Sequence, residues 1–293
     1  MIAKELRHYF LFFGLSALFI LTSCEDKDII VQSLFDLAGA PLEYDDSQAT
    51  KFINVAAATI EVSKNKPENR AKIRQTIIHT MEENPETELI LFGETILGCW
   101  YEDENPHAYQ LEVAETIPGP STNSIAQLAD SLNIYVGFGI SELKEGNLFN
   151  SQVIINPDGD IEAIYRKFTM TKEDKESGFT PAEKIPENVK TVTINDIKLG
   201  MLVCADVRSY WLANQLVGKE VEVILHSLAA LSPEFPIDAI SRQFNAWVVF
   251  ANRYGGCGDL KYSGNTFISD PAGNIRISGG GEEVVLTYRI GVR

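Results

Sequence analysis

A layered α/β domain built on a mixed sheet is the fold this sequence predicts, and three observations predict it. β-rich apolar runs alternate with helical stretches from residue 51 nearly to the last residue. Turn clusters at Asn156-Pro157-Asp158-Gly159 and Asp270-Pro271-Ala272-Gly273-Asn274 mark hairpins, so antiparallel strands must join the parallel ones. A chain of 293 residues with 45% hydrophobic and 23% charged content suits one large domain with a sizeable core. The formal net charge of −16 weighs against a nucleic-acid partner, because phosphate neutralisation needs a dense Lys/Arg patch.

From the first residue, Lys4 and Arg7 precede a short apolar run over 9–20. It is shorter than the roughly 20 residues a membrane span needs, but it suits the core of an export signal. The run closes in Leu21-Thr22-Ser23-Cys24, which resembles the lipobox of bacterial lipoproteins with Cys24 as the lipidated residue. An ordinary signal peptide that ends in cysteine is the alternative. On the lipobox reading, residues 1–23 are a signal peptide, 24–50 a polar tether and 51–293 the folded domain. That domain is then extracytoplasmic and held to a bacterial membrane through Cys24. Three cysteines remain, Cys99, Cys204 and Cys257, and an odd count in an exported chain leaves at least one free thiol. If the free one is Cys204, Cys99 and Cys257 are available to pair, although sequence alone does not establish their geometry.

Strands are expected over 52–62, 88–92, 134–140, 152–155, 199–204, 221–225, 247–251 and 284–290. Helices are expected over 69–83, where Ile73, Ile77, Ile78 and Met81 share a face, and over 124–133, 210–218 and 236–246, the last opening on Pro236.

Three runs end in a reactive side chain. Leu89-Ile90-Leu91-Phe92-Gly93 leads to Glu94, Ala163-Ile164-Tyr165-Arg166 to Lys167, and Leu199-Gly200-Met201-Leu202-Val203 to Cys204. Strand ends are where α/β sheets build ligand sites. Singly each is ordinary, since a terminal Glu or Lys is usually a solvated end and a Cys closing a strand is usually inert core. In the order Glu, Lys, Cys they resemble the nitrilase, or carbon–nitrogen hydrolase, superfamily over residues 51–288. Ile117-Pro118-Gly119-Pro120, Asn150-Ser151, Gly178-Phe179-Thr180-Pro181, Ala251-Asn252-Arg253-Tyr254-Gly255 and Ser263-Gly264-Asn265-Thr266 are similar to further motifs of that family.

The resemblance implies a four-layer αββα sandwich, often assembled into dimers, so a homo-oligomer is expected. It implies hydrolysis of an amide-type carbon–nitrogen bond in a small molecule. Cys204 would be the nucleophile, Glu94 the general base, and Lys167 with a backbone N–H after Cys204 the oxyanion stabiliser. A second carboxylate is expected after the lysine: Glu176, next to Gly178-Phe179-Thr180-Pro181, with Glu173 as the alternative. No cofactor or metal is implied, and His79, His107 and His226 have no metal-ligand spacing. His226 either lines the pocket or is a structural histidine, and Trp100, Tyr101, Tyr210 and Trp211 are pocket-shaping or core aromatics. Gly93 stands where the family usually has proline, and Ala205-Asp206-Val207-Arg208 keeps the family's acid after the nucleophile but loses its aromatic. These departures put the substrate class in doubt. Nitrile hydrolysis, acyl transfer to an amine, and a non-catalytic lipoprotein that binds small amides stay open beside amide hydrolysis.

Overall fold

Two six-stranded sheets lie face to face in the computed structural model, which describes residues 44–102, 104–231 and 237–293. In the first sheet β1 (Lys51–Thr59), β2 (Leu89–Phe92) and β3 (Tyr135–Lys144) run parallel. β4 (Asn147–Ile155) and β5 (Ile161–Arg166) continue it antiparallel. The second sheet has a parallel centre of β7 (Ile197–Val203), β8 (Val223–Leu228) and β9 (Trp247–Asn252), flanked by the antiparallel β6 (Thr191–Ile194) on one side. After the ribbon of β10 (Tyr254–Cys257) and β11 (Leu260–Ser263), β12 (Phe267–Ser269) and β13 (Ile275–Ser278) complete the other side. β14 (Val284–Val292) returns to the first sheet and pairs antiparallel with β1 from Lys51↔Val292 to Thr59↔Val284.

Strand alternation assigns the layers. Ile53, Val55 and Ala57 of β1 enter the core shared with Leu199, Met201, Val223, Leu225 and Val249 of the opposite sheet. Their neighbours Ala56 and Ala58 turn the other way, into a second core with Ile73 and Ile77 of α1 (Lys66–Glu83) and Ile125 and Leu128 of α3 (Pro120–Leu132). Beyond the second sheet, Leu212 and Leu216 of α5 (Tyr210–Gly218) and Phe244 of α6 (Ile237–Phe244) cover its outer face. A Cβ at Gly200 would lie 2.8 Å from Leu216 Cδ2, so β7 and α5 touch through a glycine. The order is helix, sheet, sheet, helix: the αββα sandwich that the sequence implied. Burying one Ile or Leu contributes about 1.5–3 kcal/mol, so the two cores supply the main stabilisation.

Helix starts follow local chemistry. Asn65 caps α1 by accepting from the Glu68 amide at 3.2 Å, and Pro67, Pro106 and Pro120 open α1, α2 (Pro106–Val113) and α3, where a missing N–H costs nothing. Thr171 caps the short α4 (Lys172–Glu176) and Asp174 closes the reciprocal bond back to Thr171 N.

Several expectations need correction. Residues 44–50 pack on the domain instead of tethering it: Tyr44 donates its hydroxyl to Gly291 O at 3.1 Å and meets Trp247 edge-on, the rings 5.4 Å apart. The expected signal peptide, Cys24 and the rest of the tether lie outside the described residues. Ile78 is exposed, because the α1 face toward the sheet is the narrower one of Ile73, Ile77 and Thr80. β4 begins at Asn147, five residues before the expected run, because Asn150, Ser151 and Gln152 are polar yet fully buried.

Candidate active site

The carboxyl ends of β2, β5 and β7 converge on one buried cluster. Glu94 stands two residues beyond β2, in a turn fixed from both sheets: its amide donates to Leu228 O at 3.0 Å, and Gly93 O accepts from Gly139 N at 3.0 Å. A Cβ at Gly93 would come within 2.9 Å of Leu228 O and 3.1 Å of Arg253 N, so this turn passes against backbone. Arg253, fully buried, donates Nη1 to Thr95 Oγ1 at 3.3 Å and lies over the Tyr262 ring at 4.5 Å, bracing the same turn.

Lys167 follows β5 directly and is fully buried. Its ammonium lies 2.8 Å from Glu94 Oε1 and 2.7 Å from Asp174 Oδ2. Asn150 on β4 binds the two carboxylates together, donating Nδ2 to Glu94 Oε1 at 2.6 Å and to Asp174 Oδ1 at 3.3 Å. Trp100 donates its indole N–H to Asp174 Oδ1 at 2.9 Å, and its ring centre is 5.7 Å from the Lys167 ammonium. Glu94 Oε2 makes no such bond, which leaves that oxygen open to a proton.

Cys204 begins the 3₁₀ turn after β7 with φ of 43°, a left-handed backbone that non-glycine residues rarely adopt and that clusters at functional sites. It is the free cysteine among the described residues and is only half-buried. The carbonyl of Cys204 accepts from His226 Nε2 at 3.0 Å. One turn further, buried Asp206 accepts from the Tyr165 hydroxyl at 2.7 Å and from the amides of Phe168 and Thr169 at 3.1 and 2.7 Å. Asp206 therefore ties the segment after Cys204 to the segment after Lys167.

Charge and burial set the protonation states. Desolvation of the sulfur by the surrounding protein pushes the Cys204 thiol up to about 12, the Glu94 charge adding to the rise and the Lys167 ammonium opposing it, so the resting sulfur is a thiol. Burial raises Glu94 above the ordinary carboxylate range, although Lys167 pulls the other way and Asp174 reinforces it. Burial disfavours the Lys167 charge, but Glu94, Cys204 and Asp174 outweigh it and hold the amine protonated. Asp174 resists its own burial because Lys167 keeps it ionised, below the usual range. A proton acceptor, a fixed cation and a protonated thiol thus share one cluster, the arrangement needed to generate a thiolate and hold an oxyanion.

The structure brings Glu94, Lys167 and Cys204 together and does not bring Glu176. That carboxylate is part-exposed, 3.6 Å from Lys172 and 2.9 Å from the Tyr101 hydroxyl. The second buried carboxylate against Lys167, beside Glu94, is Asp174; neither Glu176 nor the alternative Glu173 fills that place, because the capping turn of α4 points its third residue inward. The pattern Thr171-Lys172-Glu173-Asp174 carried that signal as a capping box. Trp100 reaches the site through Asp174, Tyr101 donates its hydroxyl to Glu176, Tyr210 is exposed, and Trp211 meets Phe168 at a tilt, the rings 5.5 Å apart. Cys99 and Cys257 form a disulfide.

The profile of the carbon–nitrogen hydrolases matches residues 54–290. The chain belongs to the carbon–nitrogen hydrolase family. Among curated relatives of this hydrolase, an (R)-stereoselective amidase from a Pseudomonas species is 26% identical over 205 residues, 68% of this chain and 71% of that one. A Saccharomyces cerevisiae protein of branch 10 of the nitrilase superfamily superposes with a TM-score of 0.72 at 20% identity, over 85% of this chain and 93% of that one. An amidase from a Nesterenkonia species gives 0.72 at 16% identity, over 84% and 94%. At those identities the two structures speak for the fold.

Proposed function

We propose that this hydrolase cleaves the amide bond of a small molecule through a thioester on Cys204. One observation carries the reading: buried Lys167 is clamped between Glu94 and Asp174, in the electrostatic reach of a free thiol whose backbone is left-handed. Glu94 takes the thiol proton, the sulfur attacks the carbonyl carbon, and the carbonyl electron pair moves to oxygen. Lys167 and the Ala205 amide hold that oxyanion, each such donor being worth about 10²–10³-fold in rate. Collapse expels the amine, which leaves with the proton from Glu94. Water then gives a proton to Glu94 and attacks the thioester, releasing the acid and the thiol. Asp174 acts on Lys167, keeping it ionised and in place.

Amides are favoured over nitriles by the amidase relative of Pseudomonas, and the Nesterenkonia amidase structures share the fold. In one of these, acrylamide is added to the active-site cysteine. We further propose that the enzyme is an extracytoplasmic lipoprotein anchored at Cys24, a reading that Leu21-Thr22-Ser23-Cys24 supports. Among the described residues no helix is long and apolar enough to cross a membrane.

Intact-mass spectrometry after rapid quenching with a panel of primary amides tests the chemistry. An added acyl mass that maps to Cys204 and disappears in Cys204→Ala is expected. Turnover that persists in Cys204→Ala would overturn the mechanism.

A further inference from the structure

From the hydrogen bond beneath the nucleophile we infer that His226 is a positioning residue, which aims the oxyanion-binding amide of Ala205 by holding the carbonyl of Cys204. The inference rests on the amide-hydrolase reading given above.

The geometry comes from the peptide bond itself. In a trans peptide the C=O and the N–H point in opposite directions across one rigid plane. The plane between Cys204 and Ala205 carries the Cys204 carbonyl on one side and the Ala205 N–H on the other. His226 Nε2 lies 3.0 Å from that carbonyl oxygen. A carbonyl only accepts, so Nε2 must carry the proton and the imidazole is fixed as one tautomer. Anchoring the oxygen fixes where the opposed N–H points.

Cys204 needs such an anchor. At φ of 43° its backbone is left-handed, and such conformations persist only where the surroundings over-determine them. His226 is well placed to supply the restraint. It lies on β8, a central parallel strand, in register with Leu202 of β7 and Phe250 of β9. Its ring is fully buried and meets Phe250 edge-on, the centroids 5.4 Å apart. Burial also drops its pKa to about 4, with the Lys167 charge helping, so the ring stays neutral at the pH where a hydrolase works. A neutral donor holds the carbonyl without placing a second cation beside Lys167. The bond lies on the far side of the peptide from the reacting carbon, so His226 shapes the oxyanion pocket without touching substrate.

The test separates thiol reactivity from oxyanion binding. Iodoacetamide alkylation of Cys204 needs an accessible sulfur, whereas acetaldehyde adduct formation also builds charge on a carbonyl oxygen. With carbon-13 acetaldehyde followed by NMR on the intact protein, His226→Leu should weaken the adduct about tenfold or more, a fraction of the loss of a whole donor. It should leave the alkylation rate within about threefold, a separation expected from loss of orientation alone. The amide of Gln reaches about as far as Nε2, so His226→Gln should recover most of the adduct affinity. Equal adduct affinity in wild type and His226→Leu overturns the inference while leaving the hydrolase reading intact. A wild type that forms neither the aldehyde adduct nor an acyl-Cys204 from any amide defeats the hydrolase reading, and the inference with it. Nitrogen-15 NMR of the wild-type imidazole decides the point independently of whether variants fold: a neutral Nε2–H ring is expected, and an Nδ1–H ring would overturn the inference.

Discussion

Asp174, and not Glu176, is the second carboxylate beside Lys167, and the two substitutions should separate cleanly. Asp174 raises Glu94, so Asp174→Asn removes that push and leaves Glu94 a weaker base against Lys167. Its kcat should fall about 10–100-fold, part of the range typical of general-base catalysis, and the acid limb of kcat/KM should move to lower pH. Glu176→Gln should stay within about twofold of wild type, as surface changes do. In the wild type that limb should lie above the ordinary carboxylate range, since burial raises Glu94. His226 supplies a separate pH signature in stability. Its imidazole titrates at 6.5 when unfolded and at about 4 when folded, so acid favours the unfolded chain across that window. Stability present above pH 6.5 should be lost toward pH 4, on the order of 3 kcal/mol. Asp206 works the other way, its folded carboxyl raised to about 6 from 3.8, adding stability as pH falls through that range. Comparing urea unfolding of wild type and His226→Gln from pH 7 to 4 isolates the histidine. The reactive Glu94, Lys167 and Cys204 were legible because each closes an apolar run; Asp174 was not, because its partner is seven residues away across a short capped turn.

At the scale of elements, the sequence was readable where strands are long and dry and silent where they are short. β10 and β11 have four residues each, with Gly255 and Gly256 in the first, too little for a period of two to register. Yet this ribbon carries Cys257, whose bridge to Cys99 spans 158 residues of sequence. Cys99 adjoins Trp100, whose indole holds Asp174, and Arg253 just before the ribbon braces Thr95 beside Glu94. The disulfide therefore ties together two segments that reach the catalytic cluster. Its removal in Cys99→Ala/Cys257→Ala should cost about 2–5 kcal/mol in denaturant unfolding. It should also lower kcat while Cys204 still reacts with iodoacetamide. Unchanged kcat would show that the bridge serves stability alone.

At the scale of the whole molecule, alternation and hairpin signals were enough for a layered mixed-sheet fold, while the number of layers came only through likeness of motifs. Periodicity reports that a strand has a buried face; it does not report which sheet lies opposite. Polar residues hid part of the interior too: Gln152 donates to Ser227 at 2.7 Å and Ser227 to Phe92 O at 2.7 Å, a buried bridge between sheets that reads as loop composition. The proposed lipid anchor belongs to this scale as well. Intact mass from the native host should show a chain beginning at Cys24 with fatty acyl groups added, and a product that starts elsewhere without them would end that proposal.

β14 lies beside β1, residue 292 opposite residue 51. The first sheet is therefore completed by a strand synthesised after all its other members. Until that strand arrives, β1 presents an open row of amides and carbonyls, and the chain remains threadable and vulnerable to pairing with its own kind. This ordering is a timer: the sandwich stays unlocked while the intervening strands form and locks only when residues 284–292 reach β1.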